Sequence, residues 1–300
     1  MTRHDAPRKP AWLKRRLPHG PAFGAVCRTL AQEGLHTVCQ EARCPNQWEC
    51  FSRRTATFLI LGARCTRDCR FCAVAHGSPG PPDADEPQRV ARAAAALQLA
   101  YVVVTSVTRD DLADGGAGIF AATVRALRAR LPAARVEVLV PDFGGSPHAL
   151  QTVLDAAPDV LNHNIETVPR LYAVVRPQAD FARSLALLRQ CRAEAPGILT
   201  KSGLMLGLGE TQDEVRQTLL ALRRAGCQTL TLGQYLQPSA AHLAVDRYVT
   251  PAEFDRWRRE ALALGFREAA CGPLVRSSYQ ARELCAAGLG PAVDPGGGTR

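Results

Sequence analysis

From residue 58 onward the chain alternates short apolar, β-branched runs with amphipathic stretches of helical length, and that alternation leaves few architectures open. A strand followed by a helix cannot fold back as a hairpin; it returns by a crossover and lies parallel to its predecessor. The strand windows are 58–61, 100–106, 136–140, 160–165, 199–206 and 229–235, and the helical windows are 87–99, 119–131, 147–156, 181–194, 212–225 and 251–264. Thr211 ahead of Asp213 and Glu214, and Thr250 ahead of Pro251, mark helix starts, while Gly226 and Gly265 mark stops. Six strands fall short of a closed eight-stranded barrel. The reading is an α/β fold, a partial (β/α)6 barrel over residues 58–270, with a cysteine-rich N-terminal extension at 17–57 and a further C-terminal segment at 271–287. A chain of 300 residues that is 46% hydrophobic can bury one such core.

No apolar run of about 18 residues occurs, and the basic, Pro-rich N-terminus has no apolar stretch after it, so neither a membrane span nor a secretory signal is expected and the location is cytoplasmic. Six of the eleven cysteines crowd into residues 39–72 of a long chain, a distribution that points to metal binding rather than disulfides. The net charge of +9 is uneven: Arg3, Arg8, Lys9, Lys14, Arg15 and Arg16 stand against Asp5 alone. Residues 1–16 read as a basic arm that meets an acidic partner or nucleic acid, the alternative being a solvated tail. Residues 288–300, rich in Gly and Pro, have no pattern that could pack.

In parallel α/β architectures the chemistry gathers at the carboxyl ends of the strands. Just past the first strand window, Cys65, Cys69 and Cys72 place three thiols in eight residues with no histidine among them. Such spacing folds around zinc or an iron-sulfur cluster. A structural zinc site wants four protein ligands, and here the fourth is missing locally, so one corner is left for an exogenous group. The CxxxCxxC spacing with Phe71 before its last cysteine resembles the radical S-adenosylmethionine superfamily. The resemblance implies a 4Fe-4S cluster on Cys65, Cys69 and Cys72 with one iron open to the cofactor, and Phe71 near the adenine; the alternative for Phe71 is loop packing.

Upstream, Cys39, Cys44 and Cys50 form a second set with CxxxxCxxxxxC spacing, for a second cluster or a zinc knuckle. That spacing resembles the auxiliary-cluster motif of lipoyl synthases, and the likeness extends over roughly residues 10–285 through the stretches 105–117, 140–143, 162–172, 175–177, 200–205, 233–239 and 272–279. The last ends in Arg276-Ser277-Ser278-Tyr279. By the resemblance Ser278 closes the auxiliary 4Fe-4S cluster, making 271–287 a cluster-closing segment, and a hydroxyl, a poorer iron ligand than a thiolate, suits a cluster dismantled for its sulfur. The implied reaction cleaves S-adenosylmethionine reductively and inserts two sulfur atoms, at C6 and C8, into an octanoyl chain held on a lipoyl carrier domain of a 2-oxoacid dehydrogenase E2 subunit or a glycine cleavage H protein. The electron donor implied is a flavodoxin or ferredoxin; no membrane and no nucleic acid is expected as partner.

A zwitterionic methionine, a ribose and an adenine call for carboxylates, hydroxyls, amides and a cation at the strand ends. Ser106, Asp110, Asn164, Glu166 and Lys201 supply them, with Arg176 next; each alone also reads as a cap or a surface ion pair. His163 reads as structurally hydrogen-bonded. Cys271 is either a spare thiol beside the auxiliary cluster or a small buried residue, Cys191 and Cys227 read as core, and Cys27 and Cys285 carry no signal. Two rivals stand beside this reading: another radical S-adenosylmethionine enzyme acting on a free small molecule or RNA, which the Cys39–Cys50 spacing and the RSSY ending oppose, and a zinc protein binding nucleic acid, which leaves the polar strand ends unexplained.

Overall fold

The computed structural model describes residues 8–14, 21–53 and 55–289. The extension holds α1 (Pro21–Gln32), β1 (His36–Thr37), α2 (Val38–Glu41) and α3 (Gln47–Ser52). Then come β2 (Thr57–Ile60), a short pair β3 (Arg64–Cys65) and β4 (Ala75–His76), α4 (Glu86–Ala96), β5 (Tyr101–Ser106), α5 (Ala117–Arg130), β6 (Arg135–Leu139), α6 (Pro147–Leu154) and β7 (Val160–Asn162). The chain continues through α7 (Tyr172–Val175), α8 (Phe181–Glu194), β8 (Leu199–Leu206), α9 (Gln212–Arg224), β9 (Thr229–Gln234), α10 (Pro251–Ala263), β10 (Glu268–Gly272) and α11 (Ala281–Leu289). The basic arm falls largely outside the described residues, as do residues 290–300.

The main sheet runs β1-β2-β5-β6-β7-β8-β9-β10, every neighbouring pair parallel except β1 on β2, and β1 does not pair with β10. It is an open barrel with two edges. All six expected strands are present, and Thr211 and Thr250 each form a full capping box.

Among the differences from the sequence reading, four bear on the main sheet and its closure. β7 stops at Asn162 instead of 165 because the chain leaves the strand path: Glu166 takes a left-handed φ of 62° and meets β8 only through an isolated bridge to Leu204. β10 is a seventh parallel strand whose Glu-Ala-Ala-Cys-Gly composition lacks the β-branched residues that mark strands. β1 is two residues long, too short for any alternation to register. α11 runs to Leu289, past the boundary placed before Gly288, and Gly288 is packed: a Cβ there would stand 3.1 Å from Leu199 Cδ2 and 3.2 Å from Thr229 Oγ1.

The two faces of the sheet bury different things. Val102, Val104, Val136 and Val138 join the large core under the helices, whereas Tyr101, Val103, Val160 and Leu199 pack against Ala281 and Cys285 of α11. α11 therefore plugs the inner face at the amino ends of the strands, opposite the Cys65 loop. Above it, fully buried Glu137 accepts from Tyr101 Oη at 2.6 Å, Asn162 Nδ2 at 3.1 Å and Lys201 Nζ at 2.9 Å. Between β10 and α11, residues 273–280 bridge the two edges. The Leu274 carbonyl accepts from Asn46 Nδ2 at 2.6 Å, and Tyr279 Oη donates to Glu49 Oε1 at 3.1 Å. On the other flank the Val275 carbonyl lies so near Gly233 of β9 that a Cβ there would sit 2.1 Å from it, which is why only glycine fits.

Candidate active site

The loop carrying Cys65, Cys69 and Cys72 is held by every element around it. Arg67, 6% exposed, reaches Asp110 after β5 (Nε–Oδ2 2.7 Å, Nη2–Oδ1 2.8 Å) and Asp142 after β6 (Nη2–Oδ1 2.7 Å, Nη1–Oδ2 3.0 Å). Arg70 N donates to the Val175 carbonyl, Leu243 N to the Arg70 carbonyl, and His242 Nε2 lies 3.0 Å from the Cys72 carbonyl. Cys65 Sγ accepts from Arg67 N and Thr108 N at 3.4 and 3.3 Å. Burial pushes the Cys69 thiol up to about 11, with Arg176 opposing and Cys65 and Glu166 adding; Cys72 rises to about 12 for the same leading reason. The three thiols thus face one another across a desolvated space, in which a cationic metal group is what would make them thiolates.

At the same mouth several polar atoms are buried without partners: Ser106 Oγ, Asn164 Oδ1 and Arg176 Nε. Each such atom costs on the order of 1–3 kcal/mol unless something else meets it, and together they fit a polar ligand such as S-adenosylmethionine. Arg176 is anchored by donating to the Asn164 carbonyl at 2.9 Å and lies over the Tyr172 ring. Burial raises the Glu166 carboxyl, against the pull of Arg176. Phe71 is half-buried at the margin of the main core.

Two residues expected at the cofactor have other partners. Lys201, 2% exposed, is paired with Glu137 inside the barrel, and Asp110 is paired with Arg67. His163 is bracketed by the Val140 carbonyl at 2.8 Å and Ser184 Oγ at 2.9 Å, and burial lowers it to about 4, which keeps it neutral and structural. Cys271 lies on β10, its nearest charged neighbours Arg258 and Asp255 of α10, so it faces the helix layer. Cys191 and Cys227 are fully buried in the core.

The second set converges as well. Cys39, Cys44, Cys50 and Ser278 line one small pocket, with Asn46, Thr55, Arg276 and Tyr279. Burial raises Cys39 to about 11 and Cys50 to about 12, and each is raised further by neighbouring thiols of the set; Cys44 is raised by burial and eased by Arg276 among others. Among the described residues no group of His, Cys, Asp and Glu side chains closes tightly enough for a single metal ion. Three thiols and a hydroxyl, with no histidine among them, are the donor set of an iron-sulfur group more than of a nitrogen-liganded zinc ion.

Sequence reasoning missed Arg67 and Arg276. Arg276 feels both Cys44 and Glu166, and Ser277 accepts a hydrogen bond from Asn164 Nδ2, so residues 276–278 join the barrel mouth to the second pocket. Arg276 stood in the RSSY ending without a role of its own and Arg67 carried no signal, because their partners are distant in the chain.

Comparison with known proteins agrees. Residues 59–222 match the radical SAM superfamily and residues 1–44 the N-terminal domain of lipoyl synthase. Lipoyl synthase from Desulfotalea psychrophila is 58% identical over 92% of this chain and 92% of its own length. That of Methylococcus capsulatus is 59% identical over 93% of this chain and 87% of its own. HydG, a maturase of the [FeFe]-hydrogenase, shares the fold at a TM-score of 0.56 and 14% identity, over 78% of this chain and 54% of its own. SuiB from Streptococcus suis, solved bound to S-adenosylmethionine, does so at 0.53 and 9%, over 72% and 51%. With a sheet of radical SAM form, two converging cysteine sets and relatives alike over nearly their whole length, the chain belongs to the lipoyl synthase family of the radical S-adenosylmethionine superfamily.

Proposed function

We propose that this radical SAM sulfurtransferase inserts two sulfur atoms, at C6 and C8, into a protein-bound octanoyl chain, with the following division of labour. Cys65, Cys69 and Cys72 would hold a 4Fe-4S cluster that works with S-adenosylmethionine, and Cys39, Cys44, Cys50 and Ser278 would hold a sacrificial 4Fe-4S cluster. When bound, the first would supply the electron for reductive cleavage of S-adenosylmethionine, and the second would supply sulfur. The observation that carries the reading is the meeting of Ser278 with three cysteines from the opposite end of the chain in one pocket.

The protein's own part is positioning and exclusion. Ser106, Asn164 and Arg176 offer their unpartnered buried atoms to the cofactor, Glu166 stands beside Arg176, and Phe71 is the side chain assigned to the adenine. Arg67 fixes the cysteine loop. Residues 273–280 seal the open side of the barrel and α11 closes its floor, keeping water from a radical that would abstract hydrogen elsewhere. Residues 17–57 and 271–287 act as two halves of the auxiliary site, and 58–270 as the catalytic barrel.

Carriers of the octanoyl group are E2 subunits of 2-oxoacid dehydrogenases and glycine cleavage H protein, and the donor is a flavodoxin or ferredoxin. Among the described residues no helix is long and apolar enough to cross a membrane. All eleven cysteines are free, in keeping with a reducing cytoplasm. Anaerobic iron and sulfide analysis of the reconstituted chain tests the assignment: about eight iron, falling to about four when Cys39, Cys44 and Cys50 are all alanine, with cofactor cleavage kept and lipoyl product lost. Zinc, or about four iron in the unaltered chain, overturns it.

A further inference from the structure

We propose that the auxiliary pocket is loaded with iron and sulfide from solvent through a separate rear cleft, with Cys50 and Ser278 as its threshold. The inference rests on the reading that this pocket holds the sacrificial cluster. Beside the pocket lies a cleft of about 350 Å³ whose wall includes Glu49, Arg53, Ala100, Tyr101, Arg282 and Glu283. Leu97, Leu99 and Ala100 place it at the amino end of β5, and the start of α11 forms its other side. The Cys65 loop and the unpartnered atoms of Ser106 and Asn164 lie at the carboxyl ends, so cleft and mouth open at opposite ends of the barrel.

Pocket and cleft share Cys50, Thr55, Ser278 and Tyr279, whereas Cys39, Cys44 and Arg276 line the pocket alone. Cys39 is 5% exposed. Two of the four ligands therefore stand in the partition, and one of them is the hydroxyl, the ligand that iron releases most readily. A centre that gives up sulfur at each turnover must be resupplied. Through the mouth that would require cofactor and acyl chain to leave; through the rear it does not. The wall carries both signs, Glu49 and Glu283 with Arg53 and Arg282, which suits the passage of a ferrous cation and a sulfide anion alike.

Ala100 is exposed in the cleft, outside the pocket, and Ala100→Trp narrows the route. In a chain whose Cys65, Cys69 and Cys72 are alanine, anaerobic addition of ferrous iron and sulfide should develop visible cluster absorbance several-fold more slowly with Ala100→Trp, reaching the same final iron content. In the complementary background, with Cys39, Cys44 and Cys50 alanine, the substitution should leave loading of the first site unchanged. Iodoacetamide on the unaltered apo chain, read by peptide mass spectrometry, should label Cys50 ahead of Cys39 and Cys44, and bulkier reagents should sharpen that preference. Equal labelling of the three thiols, or an unchanged loading rate in Ala100→Trp, overturns the route, including the case in which assembly enters by the mouth. No iron uptake at all in the Cys65/Cys69/Cys72 background overturns the underlying assignment of the pocket instead.

Discussion

Arg67→Ala removes the one side chain that ties the cysteine loop to both neighbouring strand ends. Its two partners are unequal. The Asp110 side chain is 42% exposed, so its pairing is worth little in water, whereas the Asp142 side chain is fully buried. Burial alone would push the Asp142 carboxyl up; the Arg67 hydrogen bonds and charge overcome that and hold it at about 2, against 3.8 for a free Asp. That difference is worth about 2 kcal/mol of folding free energy. Stranding a buried charge typically costs about 3–5 kcal/mol, and Arg183, 3.3 Å from Asp142, remains as a partial substitute. A loss of about 3 kcal/mol is expected, roughly 5–10 °C in melting temperature for a chain of this size.

The sign with pH follows from the depressed carboxyl. Its contribution is complete above 3.8 and is lost as pH falls through about 2, so the gap between unaltered chain and Arg67→Ala should be widest near neutrality and close in strong acid. Thermal denaturation of the apo chain across pH measures it. Arg67→Lys, which keeps a charge but cannot fork across two carboxylates, should fall between, and Asp142→Asn in the Arg67→Ala background should recover part of the loss. Iron retention at the first site should drop in step, measured with the auxiliary cysteines removed. A melting temperature and pH profile indistinguishable from the unaltered chain would refute the clamp.

Ser278→Cys should keep the auxiliary cluster by iron analysis yet suppress sulfur insertion; full lipoyl formation would remove the hydroxyl from the mechanism. Lys201→Met leaves Glu137 charged and buried, and should cost about 3–5 kcal/mol, with Glu137→Gln restoring most of it and cofactor affinity unaltered in the double variant; lost cofactor affinity at unchanged stability would return Lys201 to the binding site. Deleting residues 1–9 should weaken binding to an acidic carrier domain in a salt-dependent way, seen by titration at low and high ionic strength; equal affinities would make the arm a solvated tail.

What was legible in the sequence was what is local. Three thiols in a short loop announce themselves by spacing, and a buried parallel strand announces itself by an unbroken apolar run. Whether a polar residue at a strand end is free for a ligand depends instead on a partner far away in the chain. Ser106, Asn164 and Arg176 were grouped with Asp110 and Lys201 because all five have the right chemistry in the right place, and only the tertiary structure separates atoms left unpartnered from charges already paired with Arg67 and Glu137. The same blindness hid Arg67, whose meaning lies in two carboxylates on two later strands.

The open barrel explains why the four residues proposed to hold the auxiliary cluster are split between the two ends of the chain. A sheet whose terminal strands do not meet exposes unpaired edges and a side opening onto its interior. Here the β1–β2 side brings Cys39, Cys44 and Cys50, and the chain leaving β10 brings Ser278, with Asn46–Leu274 and Glu49–Tyr279 as the ties between them. The pocket is thus built across the seam, and only a correctly closed fold brings Cys39, Cys44, Cys50 and Ser278 together. The same segment contributes Arg276 and Ser277 toward Glu166 and Asn164, so covering the seam and aligning the second pocket with the barrel mouth are one structural act. An acyl chain lying between mouth and pocket would then face the radical source at one end of a closed space and the sulfur source at the other.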